Sequence, residues 1–481
     1  MLRAKVVIKY LGYVLLFNAL FLYISAIISL VLHETSLIPL LYSALVCTVL
    51  GIFPQIFVEN IDEINFHEGI SISVLGWIIT CFAGLIPYFM WGGEFSFVNS
   101  LFESVSGFTT TGATILKDIE ILPKGLLFWR ASTHFIGGLG IILFVLLILP
   151  EKKGIRSSIY HSEVSGLSML NFKMKTKEIG NIILIVYFSL IVSETILLKF
   201  FGMNWFDAVC HSFATIATGG FSTKNMSIAY YNNLGIEVTI MFFMLVSSIH
   251  FGLIYATILR RKMNIFTSRI TRAYLGVMLI GVLLVAVQLT HLKVYDFGNS
   301  LRYAAFQVIS LGTTTGFATA DTPNWPIFSI LIMMYFTIQC GMVGSTSGGL
   351  KFDRIFIFFK SLTKQIKLNK HPNGIFVIKA DGSAITGEME LQIVIFILLY
   401  IITFSITTLL LAAMKVDGIT AFSASIATIG NVGPGFGGVS SLGNYAGLPD
   451  AAKYVLSLNM LLGRLEIINI IVFITMMTSR K

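Results

Sequence analysis

The chain has 481 residues, of which 56% are hydrophobic and only 12% charged, with a mean hydropathy of +0.85. About a quarter charged is usual for a soluble domain, so this composition excludes an ordinary globule and gives a polytopic protein of the lipid bilayer. The net charge of +9 does not indicate nucleic acid, because 23 of the 33 Lys and Arg residues fall in five places: the N-terminal tail, Glu151 to Lys177, Arg260 to Arg272, Lys351 to Lys379 and the last two residues. With both termini cytoplasmic all five lie on that side, as expected when cationic loops stay inside.

In chain order, the basic tail MLRAKVVIKY precedes an apolar run with no small-residue cleavage site, and reads as a retained first helix. Tyr10 to Leu32 and Leu37 to Val58 form a leading pair of spans within residues 1–58. An acidic link, Asn60 to Glu68, then opens four units with boundaries at 70–150, 178–262, 272–370 and 388–481. In the first, Ile70 to Trp91 leads to a short segment and Gly125 to Leu149 returns. In the second, the order is Ile179 to Phe201, Trp205 to Ile216 and Tyr230 to Leu259. The third runs Tyr274 to Leu292, Leu301 to Leu311 and a broken Trp325 to Phe359; the fourth runs Leu391 to Ala413, Ile419 to Ile429 and Ala452 to Met477. The expectation is an all-α membrane protein with ten spans and four half-spans.

The half-spans carry the chemistry. A spanning helix needs about 20 apolar residues, whereas Leu301 to Leu311 offers half of that before TTTGF and Pro323 end it. Such a segment is re-entrant, and irregular backbone at membrane depth must be buried in protein or line a watery cavity. One Gly/Thr loop alone could be a packing device. Here the design recurs as SLFESVSGFTTTGAT, FDAVCHSFATIATGGFST, FQVISLGTTTGF and AFSASIATIGNVGPGF, aligned on Gly112, Gly219, Gly316 and Gly433. Four such loops can surround one axis and offer rings of backbone carbonyls in place of a cation's hydration shell.

GMVGSTSGGLKFDR, Gly341 to Arg354, interrupts the last span of the third unit. Its glycines abolish helix propensity and either let neighbouring helices approach closely or make a loop lying across a pore. Arg464 and Glu466 are charges within the final span. They form either a structural pair or a positive charge beside the pore, since intramembrane charges face the bundle interior or a watery cavity. Other motifs are weak. Gly433, Gly435 and Gly438 match GxGxxG without a preceding strand, His211 reads as a packing residue, and Cys47, Cys81, Cys210 and Cys340 suggest neither a disulfide framework nor a metal site. No nucleophile and base constellation supports an enzyme.

TTTGA, ATGGF, TTTGF and NVGPGF as successive loops, GSTSGGLK as a broken helix and GRLE in the last span resemble the Trk/Ktr/HKT superfamily of potassium transporters, most closely its bacterial TrkH-type potassium uptake members. The resemblance covers nearly the whole chain. It implies four helix, pore loop, helix repeats around a pseudo-fourfold pore, one pore per protomer of a homodimer, and a cytosolic nucleotide-binding subunit of TrkA type. The transported ion would be potassium, with no organic cofactor on this chain, in a bacterial inner membrane. The filter residues would be Thr110, Thr111, Gly112, Thr218, Gly219, Thr314, Thr315, Gly316, Asn431, Val432 and Gly433, and glycine at all four aligned positions favours potassium over sodium. The fourth loop departs from the pattern, with Asn431 and Val432 in place of threonine. The gate would be Gly344, Ser345, Thr346, Ser347, Gly348 and Gly349, with Arg464 facing the pore. The alternative is a secondary transporter moving potassium with sodium or protons, which four same-sense repeats argue against.

Overall fold

The computed structural model describes residues 3–59, 64–140, 176–259 and 264–478. Most of the basic Glu151 to Lys177 segment, the first unit's last span beyond residue 140, residues 60–63 and 260–263, and the basic C-terminus lie outside the described residues.

The leading pair, Ala4–Val31 and Leu37–Phe57, packs closely because Gly12 and Gly51 face each other; a Cβ on either would overlap the other's carbonyl. Small residues allow such approach between apolar helices. Four outer helices follow, Phe66–Trp91, Thr176–Phe200, Arg269–His291 and Gly387–Ala413. Together with the leading pair they supply the six unbroken helices that are long and apolar enough to cross a membrane among the described residues. The first outer helix begins at a capping box, in which Asn65 and Glu68 satisfy each other's backbone amides.

Each unit then turns into a short pore helix: Phe97–Phe108, Trp205–Ile216, Phe297–Gly312 and Gly418–Ile429. Three of them have twelve residues and rise about 18 Å, roughly half a bilayer, and that of the third unit has sixteen. All four start on a side-chain cap, from Ser96, Asn204, Asp296 and Asp417. Ser, Asn and Asp satisfy amides that the helix leaves open.

The inner helices depart from the expected straight spans. Tyr230 to Leu259 is instead a short 3-10 turn, Ser227–Tyr231, then Leu234–Ser247 and Phe251–Ile258 bent by 102°. Ala452 to Met477 is Asp450–Arg464 and Ile467–Thr478, bent by 103° at Glu466, whose φ is 60°. The first inner helix, Lys124–Leu139, ends at Gly140 with φ 77°. In the third unit the helix Ile327–Ile338 unwinds and resumes as Phe352–Lys370, so the break runs over 339–351 and leaves Asp353 and Arg354 helical. A two-residue parallel ladder, Gln339 to Leu350 and Cys340 to Lys351, closes the neck of that loop. The bend in the second unit answers the loop: Phe251 N–H donates to Gly344 O (3.1 Å) and Met342 N–H to Ser248 O (2.9 Å). Freed backbone groups thus find partners inside the protein, as a low-dielectric setting requires.

Candidate functional site

After each pore helix the chain takes the same course. Thr110, Thr218, Thr314 and Asn431 adopt φ of 53°, 54°, 62° and 52°, and two residues later Gly112, Gly220, Gly316 and Gly433 adopt 77°, 80°, 82° and 94°. This corrects the register read from sequence. The second strand's counterpart of Gly112 is Gly220, not Gly219, and Thr218 matches Thr110 and Thr314. Gly219 aligns with Thr111, Thr315 and Val432. The run ATGG offers two adjacent glycines, and only the left-handed backbone distinguishes them. Asparagine tolerates that region, whereas a β-branched threonine there is strained.

The strand amides turn back onto the pore helices. Thr111 and Gly112 N–H donate to Ser106 O, Gly219 N–H to Ala214 O, Thr315 and Gly316 N–H to Ser310 O, and Val432 N–H to Ala427 O. The four strands close on one another in sequence order. A Cβ on Gly112 would overlap the Gly219 carbonyl, one on Gly220 the Thr315 carbonyl, one on Gly316 the Val432 carbonyl, and one on Gly433 the Thr111 carbonyl. Gly112, Gly220, Gly316 and Gly433 also line one shared cavity at the mouth of this ring. Just below, Thr109 and Thr313 hydroxyls bond those of Thr111 and Thr315 (2.8 and 2.9 Å). The buried Thr110 and Thr314 hydroxyls and Asn431 Oδ1 have no hydrogen-bond partner among the described residues. Unpartnered buried oxygens are acceptors awaiting a donor or a cation.

The Gly344–Gly349 loop packs on the other side of the strands. The Thr346 hydroxyl donates to Ile216 O (2.9 Å) at the end of the second pore helix. Gly349 abuts Gly430 and Gly348 abuts Asn431, just past the end of the fourth. The Lys351 ammonium donates back to Ser347 O. Arg464 bonds the carbonyls of Thr346 and Gly137, each at 2.6 Å, and so ties the loop to the first inner helix. The expected Arg464 to Glu466 pair is not formed. Glu466 instead meets Arg354 at 2.5 Å, because the 103° bend turns it toward the helix that follows the loop.

The cation transport protein model of the TrkH family matches residues 45–481. The chain belongs to the TrkH family. The Trk system potassium uptake protein TrkH of Salmonella typhimurium is 34% identical over 417 residues, 86% of each chain. Its counterpart in Vibrio parahaemolyticus is 30% identical over 487 residues, covering 98% of this chain and 99% of that one. The crystal structure of the potassium transporter TrkH from Vibrio parahaemolyticus superposes over the whole of both chains with a TM-score of 0.89 at 28% identity.

In this TrkH-family chain the strands rest on buried polar braces that the sequence reading passed over. Glu103 of the first pore helix pairs with Arg130 of the first inner helix at 2.8 Å, and both are buried. Glu103 also accepts from Thr114 Oγ1 and Ile115 N–H, while Arg130 donates to Ser222 O and lies 3.9 Å from the Phe221 ring centroid. The pair thereby holds the stretches after the first and second strands. His134 bonds Gly107 O through Nδ1 (2.9 Å) and accepts from Phe221 N–H at Nε2 (3.2 Å), with its ring against Gly219. Asp207 accepts from Thr223 and Tyr231. His211 is buried between Asp207 O and Ser222 Oγ, a packing and bonding role. The signal was present: Arg130 is a charge inside an otherwise apolar returning segment, and such charges seek partners.

Proposed function

We propose that the chain moves potassium into the cell across a bacterial cytoplasmic membrane through a channel-like pore. In this reading Thr110 to Gly112, Thr218 to Gly220, Thr314 to Gly316 and Asn431 to Gly433 form the selectivity filter, with the register of the second strand shifted to include Gly220. The observation that carries it is the closed ring of strands, each glycine seated on the next strand's carbonyl. Rings of carbonyls replace the hydration shell of an alkali cation. The four pore helices direct their C-terminal ends toward the strands, each equivalent to about half a negative charge. Membrane potential then supplies about 2.3 kcal/mol per charge per 100 mV.

The Gly344–Gly349 loop is the gate, and Arg464 latches it shut through the Thr346 carbonyl. The likeness to Trk system potassium uptake proteins supports potassium as the cargo, and a transporter rather than an enzyme. Two copies form the dimer, each with its own pore, and a cytosolic nucleotide-binding subunit engages the basic cytoplasmic segments.

The deciding experiment is isotope flux in proteoliposomes. Rubidium uptake should exceed sodium uptake and persist when sodium and proton gradients are collapsed. Uptake that stops with either gradient assigns a coupled transporter, and absence of rubidium uptake overturns the reading.

A further inference from the structure

Asn431 differs from its three counterparts in more than side-chain chemistry. Its Nδ2 donates to the Thr111 hydroxyl of the first strand (3.0 Å) and to Met460 O of the last inner helix (2.9 Å). The Thr111 hydroxyl in turn bonds Thr109, and the Thr111 carbonyl faces Gly433. One amide therefore braces the junction where the ring closes between the fourth and first strands. Among the described residues, the corresponding Thr218 hydroxyl bonds its neighbouring carbonyl, Ala217 O, and reaches no other strand.

The other end of the Asn431 amide faces the loop. Its Oδ1 is fully buried and has no hydrogen-bond partner among the described residues. It sits between Gly348 of the loop and Gly463 of the last inner helix, where a Cβ at 463 would meet the Ile429 carbonyl first and Oδ1 next. A Cβ on Gly348 would overlap Cβ, Cγ and Oδ1 of Asn431, and one on Gly463 would come within 2.8 Å of Oδ1. Neither Gly348 nor Gly463 has a positive φ. Space, not backbone conformation, is what requires glycine at these two positions.

We propose that Asn431 is a positioning residue that links the loop to the strands, so that the seat of Gly348 against it sets how strictly the fourth and first strands discriminate among cations. This rests on the reading of the four strands as a potassium filter. With the loop seated, Gly348 confines the amide on Thr111. When the loop withdraws, the bonds to Thr111 and Met460 alone hold the amide, so the junction that discriminates during conduction is the one the seated loop has set. The link gives the asymmetric loop a mechanical connection to an otherwise fourfold ring.

The test is a double-mutant cycle on Asn431→Ala and Gly348→Ala, read as the potassium-to-sodium permeability ratio in proteoliposomes. Each single change should lower the ratio about fivefold, the worth of one hydrogen bond. In Asn431→Ala the methyl at 348 meets only the remaining Cβ and has no bond to Thr111 left to break, so the double variant should fall no further than Asn431→Ala alone. Multiplying effects, or a wild-type ratio in either single variant, overturn the proposal. If Asn431→Ala gives no folded protein by gel filtration, Asn431→Ser, too short to reach Thr111, replaces it with the same expected outcomes. A wild-type protein that fails to prefer potassium, or a Gly112→Ser variant that keeps the wild-type ratio, counts against the filter reading itself and is distinguishable from failure of the link.

Discussion

The strands and the inner-helix ends beneath them are built by opposite rules. Above, four segments repeat one backbone course, with left-handed residues at the same two positions of each strand. Below, the four inner helices diverge: one ends at Leu139, two bend by about a right angle, and one opens into the loop between Ile338 and Phe352. The proposed functions account for this: a filter of like carbonyls demands equivalence, because a bound cation samples all four sides, whereas a gate needs only one obstruction, so the remaining units are free to shape a seat for it.

If that division is right, the largest effects come from the asymmetric half. Arg464→Ala removes two charge-assisted bonds, to Thr346 O and Gly137 O, each worth about 1.5–3 kcal/mol. Rubidium flux without any partner should rise about a hundredfold, and deletion of 344–349 should do at least as much. Folded yield by gel filtration is checked first. Two folded variants that conduct no faster than wild type would make the loop a packing feature.

The symmetric half gives the next effect. Serine at Gly112, Gly220, Gly316 or Gly433 places a side chain at positive φ and against a neighbouring carbonyl, and a left-handed non-glycine residue alone costs about 1–2 kcal/mol. The potassium-to-sodium ratio should fall about tenfold at every one of the four. Gly219→Ala meets the His134 ring instead, so His134→Ala should rescue Gly219→Ala and leave Gly220→Ser unrescued. Rescue of both would show that the register assigned to the second strand is wrong.

Smaller effects test the supports. Arg354→Met should lower thermal stability in detergent by about 2 kcal/mol, since it strips Glu466 of its partner at 2.5 Å. Asp417→Ala should cost about 1 kcal/mol as a lost cap on the fourth pore helix. Hydrogen bonds from Thr420 hold the Asp417 carboxyl below the ordinary aspartate value. Its contribution is therefore present at neutral pH and lost as pH falls below the ordinary aspartate range through the lower folded value. The variant should show a flatter melting curve against pH there; equal pH dependence would remove Asp417 from the account.

Much of this was legible because repetition is visible in a string. The Thr/Gly runs, the short pore helices and the leading pair could be read from apolar length and punctuation, and the glycine-rich break announced itself by composition. The bends at Ser248 and Glu466 could not, since SSIHF and GRLEI sit in apolar context; the first opens where the loop offers backbone partners, and the second where Glu466 takes a left-handed φ of 60°. Of the two readings of the charges in the final span, the Arg464 to Glu466 pair rested on sequence proximity, and the bend brings Arg354 to Glu466 instead. Glu103 with Arg130 lies 27 positions apart and becomes a brace only when the first unit folds back on itself.

Three threonines held in a left-handed conformation, at 110, 218 and 314, bear on how the molecule is made. Strain of this kind, about 1–3 kcal/mol per residue, persists only where neighbours over-determine it, and here each strand's neighbour is another unit. The ribosome emits the fourth unit last, and with it the Val432 carbonyl against Gly316 and the Gly433 seat on Thr111. Until that unit inserts, the first three strands lack the closure that holds them and relax toward ordinary backbone. On the proposed reading of the strands as a filter, an unfinished chain would have pore helices but no ordered ion path, and the pore would become competent only on completion of the last repeat.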